Sequence, residues 1–201
     1  MSLESVGALR GIYAEPKGRS VSKQIGSLDV HCRNFIGLSP FVVLATGGAS
    51  GAMDASPRGG PPGFVKVLDA NTVLIPDAPG NNRLDTLSNV VETGRIGLLF
   101  LIPGVDETLR INGLAALSTN PAELALCADL RRTPKAAIRI VVQEAYLHCA
   151  KALMRSRLWS DESRVERSIL PTMGKMLNDQ TGIEAPPETQ EEMARRYAPD
   201  L

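Results

Sequence analysis

Strand-like segments in the middle of this chain follow one another through short turns, and this order limits the folds it can adopt. From residue 41 to residue 77, β-branched and other apolar runs alternate with glycine, proline and asparagine. The segments FVKVLD and NTVLIPD meet at Asp69-Ala70-Asn71, which predicts a hairpin. Strands joined by hairpins rather than by helical crossovers favour an antiparallel barrel or sandwich over a doubly wound sheet.

Three segments before or between the strands are predicted to be helices. SLDVHCRNFIGLSP reads as a short helix with Asp29 near its start and Gly37 at its end. RLDTLSNVVETG carries apolar residues at helical spacing, and Gly94 is a typical helix terminator. In NPAELALCADL, Asn120 is the predicted cap and Glu123 completes a capping box.

The remaining segments complete a mainly β chain with helices, an α+β fold. IGLLFLIP, TLRINGLAAL and AAIRIVVQEAYLH bring the expected number of strands to six or seven. From about residue 150 the pattern becomes mainly helical, in AKALMRSRLW, TMGKMLNDQTG and TQEEMARRYA. Thr189 and Glu192 are predicted to cap the last helix. We therefore predict an antiparallel barrel or sandwich with a helical C-terminal appendage.

Composition and charge exclude several classes of function. The 22 basic and 22 acidic residues balance, so no global field indicates nucleic acid or an anionic membrane as a partner. The longest apolar runs are too short to span a bilayer, and the first thirty residues lack the apolar core of a signal peptide. Three widely spaced cysteines do not form a disulfide framework. We expect a cytoplasmic protein that binds neither nucleic acid nor membrane.

Two polar segments are candidates for binding an anion. Ser56 and Arg58, followed by glycines in SPRGGPPGFVKV, offer a hydroxyl, a guanidinium and open backbone N–H groups. The alternative is a surface connection between two strands. Asn81, Asn82 and Arg83 in PDAPGNNRLDTLSN precede a helix, whose N-terminus favours phosphate. The alternative there is a plain helix start with Asn82 as the cap.

Metal and nucleophile chemistry are weaker hypotheses. The pairs His31-Cys32 and His148-Cys149 could in principle ligate zinc, but neither shows the spacing of known zinc sites. Neighbouring residues of a strand also point to opposite faces, which keeps His148 and Cys149 from one metal. We therefore predict no metal site. Ser56 and Cys149 are candidate nucleophiles, but the sequence shows no GxSxG elbow and no assembled base.

The order of these motifs resembles the pyridoxamine 5′-phosphate oxidase-like family of FMN-binding split barrels, and within it a bacterial subgroup of probable FMN-dependent enzymes. The similarity runs over about residues 40–160, and LIPDAPGNNRLDTLSN with ETLRINGLA is its most specific part. The resemblance implies an antiparallel split β-barrel at residues 39–160. An N-terminal helical extension (1–38) would precede the barrel, and a C-terminal helical extension (161–201) would follow it.

The resemblance also implies which residues hold the flavin. The strand Phe64-Val65-Lys66-Val67 would run under the isoalloxazine ring, and Ile75 and Pro76 would contact the ring from the next strand. Arg83, with Asn82 as a neutral donor, would bind the FMN phosphate. Ser56 and Arg58 would lie near the phosphate or at the rim of the site, and Asn81 and Asn89 belong to the segment of Arg83. Arg110 and Asn112 would face the flavin from a neighbouring strand, while Trp159 and Arg155 would reach the flavin of the partner.

The function implied is that of an FMN-dependent oxidoreductase. It would act as a homodimer, with the flavin at the interface, on an unknown small-molecule substrate. The C-terminal segment differs from that of pyridoxamine phosphate oxidases, so a vitamin B6 substrate is not expected. Alternatives on the same fold are a non-catalytic FMN- or heme-binding protein, an enzyme that uses the deazaflavin F420, and a purely structural dimerisation module.

Overall fold

The structure is a computed structural model that describes residues 3–128 and 133–200. The chain divides into two compact units, one up to Arg155 and one from Ser156 onward, and each is described by itself. In the described residues, no helix is both long and apolar enough to cross a lipid bilayer.

Seven strands of the first unit form one antiparallel sheet. They are β1 (Phe41–Gly47), β2 (Met53–Gly59), β3 (Lys66–Val67), β4 (Thr72–Pro76), β5 (Arg95–Leu101), β6 (Thr108–Ser118) and β7 (Ala137–His148). Their order in the sheet is β2-β1-β5-β6-β7-β4-β3, and every neighbouring pair is antiparallel. The predicted α+β antiparallel split barrel is therefore confirmed.

The helices of the first unit lie before, between and after the strands. They are α1 (Val6–Ile12), α2 (Arg19–Ser22), α3 (Val30–Leu38), α4 (Asp85–Thr93), α5 (Pro121–Leu126) and α6 (Lys151–Ser156), the last of which reaches the boundary with the second unit. The prediction for NPAELALCADL extends to residues 129–130, which lie outside the described residues.

The two edge strands of the sheet, β2 and β3, follow each other directly in the chain. Only residues 60–65 separate them, so the sheet curls until its two edges are within the reach of this short link. We call the gap between β2 and β3, spanned by residues 60–65, the seam. Pro57 lies within β2, where an edge strand tolerates the missing N–H group.

The core fills the inside of the curled sheet. Side chains alternate between buried and open positions along β1, β5 and β6, as expected for strands with one covered face. Helices α3 and α4 close the core with Cys32, Ile36, Leu87 and Val90. The largest fully buried side chains come from the strands, from α3 and from the segment before it: Phe100, Leu28, Ile36, Leu44, Leu74, Ile75, Leu98, Leu109, Ile111, Ile138 and Ile140.

Several local predictions are confirmed. The Asp29 carboxylate caps α3 by accepting from the Cys32 N–H at 2.7 Å, although the helix extends one residue beyond Gly37. The hairpin closes as the Leu68 N–H donates to the Thr72 carbonyl at 2.9 Å. Gly94 ends α4 with a left-handed φ of 63°.

Three predictions are wrong in detail. Ser56 and Arg58 lie inside β2 rather than in a loop, because β2 continues pairing with β1 as far as Gly59. Phe64 and Val65 precede β3, since the Phe64 N–H is already used in a tight turn with the Pro61 carbonyl at 2.9 Å.

The third difference concerns the start of α5. Asn120 caps this helix by accepting from the Ala122 N–H, but Glu123 does not complete a capping box. Its carboxylate instead accepts from the Ser118 hydroxyl and forms an ion pair with Arg139 at 2.6 Å. The charge of Arg139 therefore replaces the backbone N–H as the partner of Glu123.

Residues 156–200, the described part of the second unit, contain two helices and three short 3₁₀ turns. The helices are α7 (Met173–Thr181) and α8 (Gln190–Tyr197), and the turns are Asp161–Ser163, Arg167–Ile169 and Ala198–Asp200. The capping box predicted at α8 is confirmed: Glu192 and Thr189 each accept from the other's backbone N–H.

Candidate functional site

A partly buried polar cluster joins β1 and β2 to the first turns of α4. The Asp54 carboxylate on β2 accepts from the Ser56 hydroxyl at 2.8 Å and from the Thr86 hydroxyl at 2.5 Å. Thr46 on β1 also donates to Asp54, at 3.4 Å, and Asn89 donates its amide to Thr46 at 3.0 Å. These bonds fix α4 against the edge of the sheet, so the predicted residues Ser56 and Asn89 belong to one network.

The N-terminus of α4 has an unusual backbone. Asn82 and Leu84 both adopt left-handed conformations, with φ of 58° and 60°. Asparagine tolerates this region, whereas for a leucine it costs about 1–2 kcal/mol. Such strain concentrates at functional sites, where the surrounding structure maintains it.

This end of α4 also has no side-chain cap among the described residues. Leu84 is the N-cap position, and the Asn81 side chain accepts from the Arg83 N–H at 3.1 Å. The interpretation of Asn82 as a simple helix cap is therefore wrong. The first N–H groups of α4 keep the potential to bind an anion.

Arg83 lies on the surface beside this helix start. Its Nε donates to Asp85 at 2.9 Å, and 73% of its side chain is exposed. The hydrogen bond to Asp85 raises the pKa of Arg83 above its usual value, and the more distant charge of Asp54 adds to this effect. Arg83 is thus a fixed positive charge next to the Asp54 cluster.

Arg58 brings a second positive charge to the same side of the sheet. Burial raises the pKa of Asp77, the residue after β4, while the charges of Arg58 and Lys135 act in the opposite direction. β2 and β4 lie far apart in the sheet order, and the short link of residues 60–65 brings the end of β2 toward β3 and β4.

The predicted ring-binding residues divide into buried and accessible ones. Phe64, Val65 and Ile75 point their side chains into the core, so only their backbone groups can serve a ligand. Lys66 and Val67 are half-buried and border a groove of about 420 Å³, which Arg33 of α3 also lines. The Lys66 ammonium donates to the Gly63 carbonyl at 2.7 Å. Half-buried Pro76 ends β4.

Arg110 and Asn112 belong to a different cluster, on β6 and β7. Asn112 donates to the Glu144 carboxylate, which also receives a hydrogen bond from Gln24. Arg110 lies 4.0 Å from Glu144 and 5.6 Å from the centre of the Tyr146 ring. Within one chain, these contacts join Arg110 and Asn112 to β7 rather than to the seam.

The residues considered for metal binding or nucleophilic attack lie apart. His31 and Cys32 are on α3, whereas His148 ends β7 with Cys149 after it. Burial raises the pKa of the Cys32 thiol to about 11, which keeps this thiol protonated. No group of three or more metal-ligating side chains occurs in the described ranges. Ser56 already donates its hydroxyl to Asp54.

Some residues of these clusters were not predicted from the sequence. Asp54 could have been found, because it shares one face of β2 with Ser56 and Arg58 at alternate positions. Asp77, Arg33 and Tyr146 carry no such signal, since strand pairing and the tertiary fold determine which residues surround them. Trp159, half-buried in the second unit, stays a prediction from the resemblance alone.

These features define a class before any comparison with known proteins. The fold is an α+β split barrel with its polar clusters at the seam and on the face of β6 and β7. The family model for pyridoxamine 5′-phosphate oxidase matches residues 28–149, which is more than half of the chain. The chain therefore belongs to the pyridoxamine 5′-phosphate oxidase family.

Several solved structures are similar to part of this chain. HupZ of Group A Streptococcus is 18% identical, with a TM-score of 0.50, over 60% of this chain and 93% of that chain. A candidate pyridoxamine 5′-phosphate oxidase of Lactobacillus delbrueckii is 16% identical, with a TM-score of 0.47, over 61% of this chain and 99% of that one. An FMN-binding protein of Syntrophomonas wolfei is 11% identical, with a TM-score of 0.45, over 58% of this chain and 88% of that one. No curated protein sequence matches the chain.

Proposed function

We propose that this chain is an FMN-dependent oxidoreductase that works as a homodimer on a small-molecule substrate. The observation that carries the proposal is the hydrogen bond from Thr86 to Asp54, which joins the β2 face of Ser56 and Arg58 to the uncapped start of α4 beside Arg83. Membership of the pyridoxamine 5′-phosphate oxidase family and similarity to an FMN-binding protein agree with it.

The phosphate of FMN would bind at the start of α4. Arg83 supplies the charge there, Asn81 and Asn82 supply neutral groups, and the helix supplies free N–H groups and the positive end of its dipole. The left-handed Asn82 and Leu84 bend the chain so that successive backbone N–H groups can converge. Arg58 and Ser56 would lie at the rim of this site.

The oxygens of Asp54, the carboxylate on β2, are already bound within the chain. They accept from the Ser56, Thr86 and Thr46 hydroxyls. Burial raises the pKa of Asp77 and favours its neutral form. The set of donors therefore fits a phosphate monoester.

The ring of FMN would lie along β3 and the end of β4. In the described sheet β3 is an edge strand paired with β4, and its register leaves the backbone N–H and C=O of Val67 on the open edge, free for a ligand. Phe64, Val65, Ile75 and Pro76 would support this edge, with the first three anchored in the core. Such backbone groups suit the polar edge of a flavin ring.

A second chain would complete the site with Arg110, Asn112 and Trp159. The sheet exposes large apolar side chains, among them Phe41, Leu114, Leu117 and Val141, and an exposed apolar area of this kind is typical of a protein interface. The barrel at residues 39–160 would then be the dimerising and flavin-binding part. Residues 1–38 and 161–201 would be helical extensions.

The flavin would supply hydride or electron transfer, while the protein binds, orients and shields it. Arg83 and Arg58 would hold the phosphate end, and the buried side chains next to β3 would exclude water from one side of the ring. Lys66 and Arg110 would stabilise negative charge that develops near the ring. The described cysteines are all free thiols, which suits a reducing cytoplasm.

Visible spectroscopy tests the proposal. The purified protein, or the apoprotein titrated with FMN, should show flavin bands at about 375 and 450 nm. NADH or NADPH should then bleach the band at about 450 nm, and an electron acceptor should restore it. A flavin that binds but is never reduced would identify a carrier, and the absence of any FMN uptake would contradict the proposal. Parallel titrations with F420 and heme show which cofactor is preferred.

A further inference from the structure

A group of basic and aromatic side chains on β6, β7 and the segment after α2 has no role in the site proposed above, apart from Arg110. Tyr146 and His148 lie on the same face of β7, with their ring centres 5.0 Å apart. The Lys23 ammonium lies 5.0 Å from the Tyr146 ring centre, and the Arg110 guanidinium lies 5.6 Å from it. We call Lys23, Arg110, Tyr146 and His148 the Tyr146 cluster.

The chain positions this cluster through its backbone. Ile25 forms a β-bridge with Ala145, with both backbone hydrogen bonds made at 3.0 and 2.8 Å. Lys23 is therefore held against the end of β7, where its ammonium donates to the Leu147 carbonyl at 2.7 Å. His148 lies opposite Thr108 in the register of β6 and β7, two residues from Arg110.

Positive charge exceeds negative charge in the Tyr146 cluster. Glu144 is the nearby carboxylate, and it is occupied by the amides of Asn112 and Gln24. Its distance of 4.0 Å from Arg110 makes a weak ion pair, and 43% of the Arg110 side chain is exposed. Lys23 bonds a neutral carbonyl rather than a carboxylate.

The positive charges of Lys23 and Arg110 also act on His148. Burial lowers its pKa below the usual value, and the charges of Lys23 and Arg110 lower it further. Glu144 and Tyr146 are the other ionisable groups that this strand contributes to the cluster. An anion among these side chains would relieve the repulsion between the cations and favour the protonated imidazole.

We infer that the Tyr146 cluster binds the anionic group, a carboxylate or a phosphate, of the substrate. The inference rests on the proposed function, which assigns Arg110 to the face that meets the partner's flavin. Lys23 and Arg110 are the charged donors, and both lie against the Tyr146 ring, which packs against His148. The substrate class is therefore a small organic anion rather than a neutral or cationic molecule.

Proton NMR of the full-length protein tests the inference without turnover. The chain has two histidines, His31 and His148, so the imidazole C2–H resonances can be assigned with a His148→Gln variant. We expect acetate or inorganic phosphate to shift the His148 resonance saturably and to leave that of His31 in place. If acetate binds more tightly than phosphate, the substrate carries a carboxylate. If phosphate binds more tightly, the substrate is phosphorylated. No shift with either probe would overturn the inference.

Two variants make the test specific. Lys23→Met should weaken the binding of the anion about tenfold or more, which is the loss expected when a hydrogen bond to a charged group is removed. Lys17→Met, which changes an exposed lysine on the other side of α2, should leave the binding unchanged. Equal binding by wild type and Lys23→Met would refute the role of the cluster. The His31 resonance reports whether each variant is folded, and Arg110→Gln replaces Lys23→Met if that variant unfolds.

A failure of the proposed function can be distinguished from a failure of this inference. If the anion shifts His148 but FMN does not bind, the Tyr146 cluster is an anion site of a protein without flavin. If FMN binds but the anion leaves His148 unmoved, the flavin site stands and the substrate class is wrong. Arg83→Ala is expected to weaken FMN binding, and it should not change the shift of the His148 resonance when the anion is added.

Discussion

The Asp54 carboxylate on β2 accepts a 2.5 Å hydrogen bond from the Thr86 hydroxyl in the first turn of α4. Thr86 is buried, so this bond lies between the sheet and the helix rather than in water. Through it, the edge strand that carries Ser56 and Arg58 is tied to the helix start next to Arg83. The geometry of the proposed phosphate site depends on this link.

Replacing Thr86 with valine should therefore lower the free energy of unfolding by about 1–2 kcal/mol, because a partly buried carboxylate loses one donor at nearly constant side-chain volume. Urea denaturation followed by circular dichroism measures this change. Ser88→Ala, an exposed position of the same helix, is the control and should stay within about 0.5 kcal/mol of wild type. Equal stability of the Thr86 and Ser88 variants would show that the link contributes nothing.

Gly113 should not tolerate a side chain. It lies at the irregularity between β6 and β7, and an added Cβ would fall far inside the van der Waals radius of the Val141 carbonyl oxygen. Gly113→Ala should lose about 1–3 kcal/mol of unfolding free energy. Gly37→Ala in α3 offers a contrast, since a Cβ added there would meet no heavy atom within 4 Å. Gly37→Ala should raise the free energy of unfolding by about 0.5–1 kcal/mol. If urea denaturation shows Gly113→Ala to be the more stable of the two variants, the packing around Gly113 is contradicted.

The Asp29 carboxylate, which caps α3, should make the stability of the protein depend on pH. The Cys32 N–H holds the pKa of this carboxyl below its usual value, so the folded protein binds the proton less well than the unfolded chain. The stabilisation is present above the unfolded pKa and is lost as pH falls through the folded pKa. Asp29→Ala should cost about 0.5–2 kcal/mol at neutral pH and much less in acid near the folded pKa.

Asp29→Asn is the matched variant, because it keeps a capping oxygen that does not titrate in this range. The difference in unfolding free energy between wild type and Asp29→Asn should shift in favour of the variant as the pH falls from about 7 to about 3. A difference that does not change with pH would show that the cap does not depend on the charge of Asp29.

The three cysteines should react at very different rates. Cys149 is exposed, whereas Cys32 and Cys127 are buried, and burial raises the pKa of both buried thiols. With a pKa of about 11, only about one Cys32 thiol in a thousand is ionised at about pH 8. A thiol reagent should therefore label one cysteine quickly in the native protein and all three in denaturant. Fast labelling that persists in Cys149→Ser would contradict the burial of the other two.

Much of the fold could be predicted from local patterns. Alternating apolar residues, the Asp69–Asn71 hairpin and the Gly94 terminator are short-range signals that the chain keeps when it folds. The strand around Ser56 was predicted too short because proline and glycine usually break strands, whereas β2 is an edge strand that tolerates Pro57. Glu123 pairs with a distant partner, Arg139, in preference to its own helix start.

The candidate site was predictable only in part. Arg83 and the asparagines before it stand out in the sequence because they precede a helix. Asp54 also shares a face of β2 with Ser56 and Arg58, whereas the place of Asp77 depends on how the sheet curls at the seam. Single-sequence patterns report neighbours along the chain, so they could not show the position of Asp77 or the Tyr146 cluster.

The most direct test of the central claim is the dissociation constant of FMN, measured by fluorescence quenching, for wild type, Arg83→Ala and Arg10→Ala. Arg10 pairs with Glu15 in the N-terminal segment and serves as a control for the loss of one exposed arginine. The account predicts that Arg83→Ala weakens FMN binding by about 1.5–3 kcal/mol, since a charge-assisted phosphate contact is lost, while Arg10→Ala binds as wild type does. Identical dissociation constants for all three proteins would contradict it.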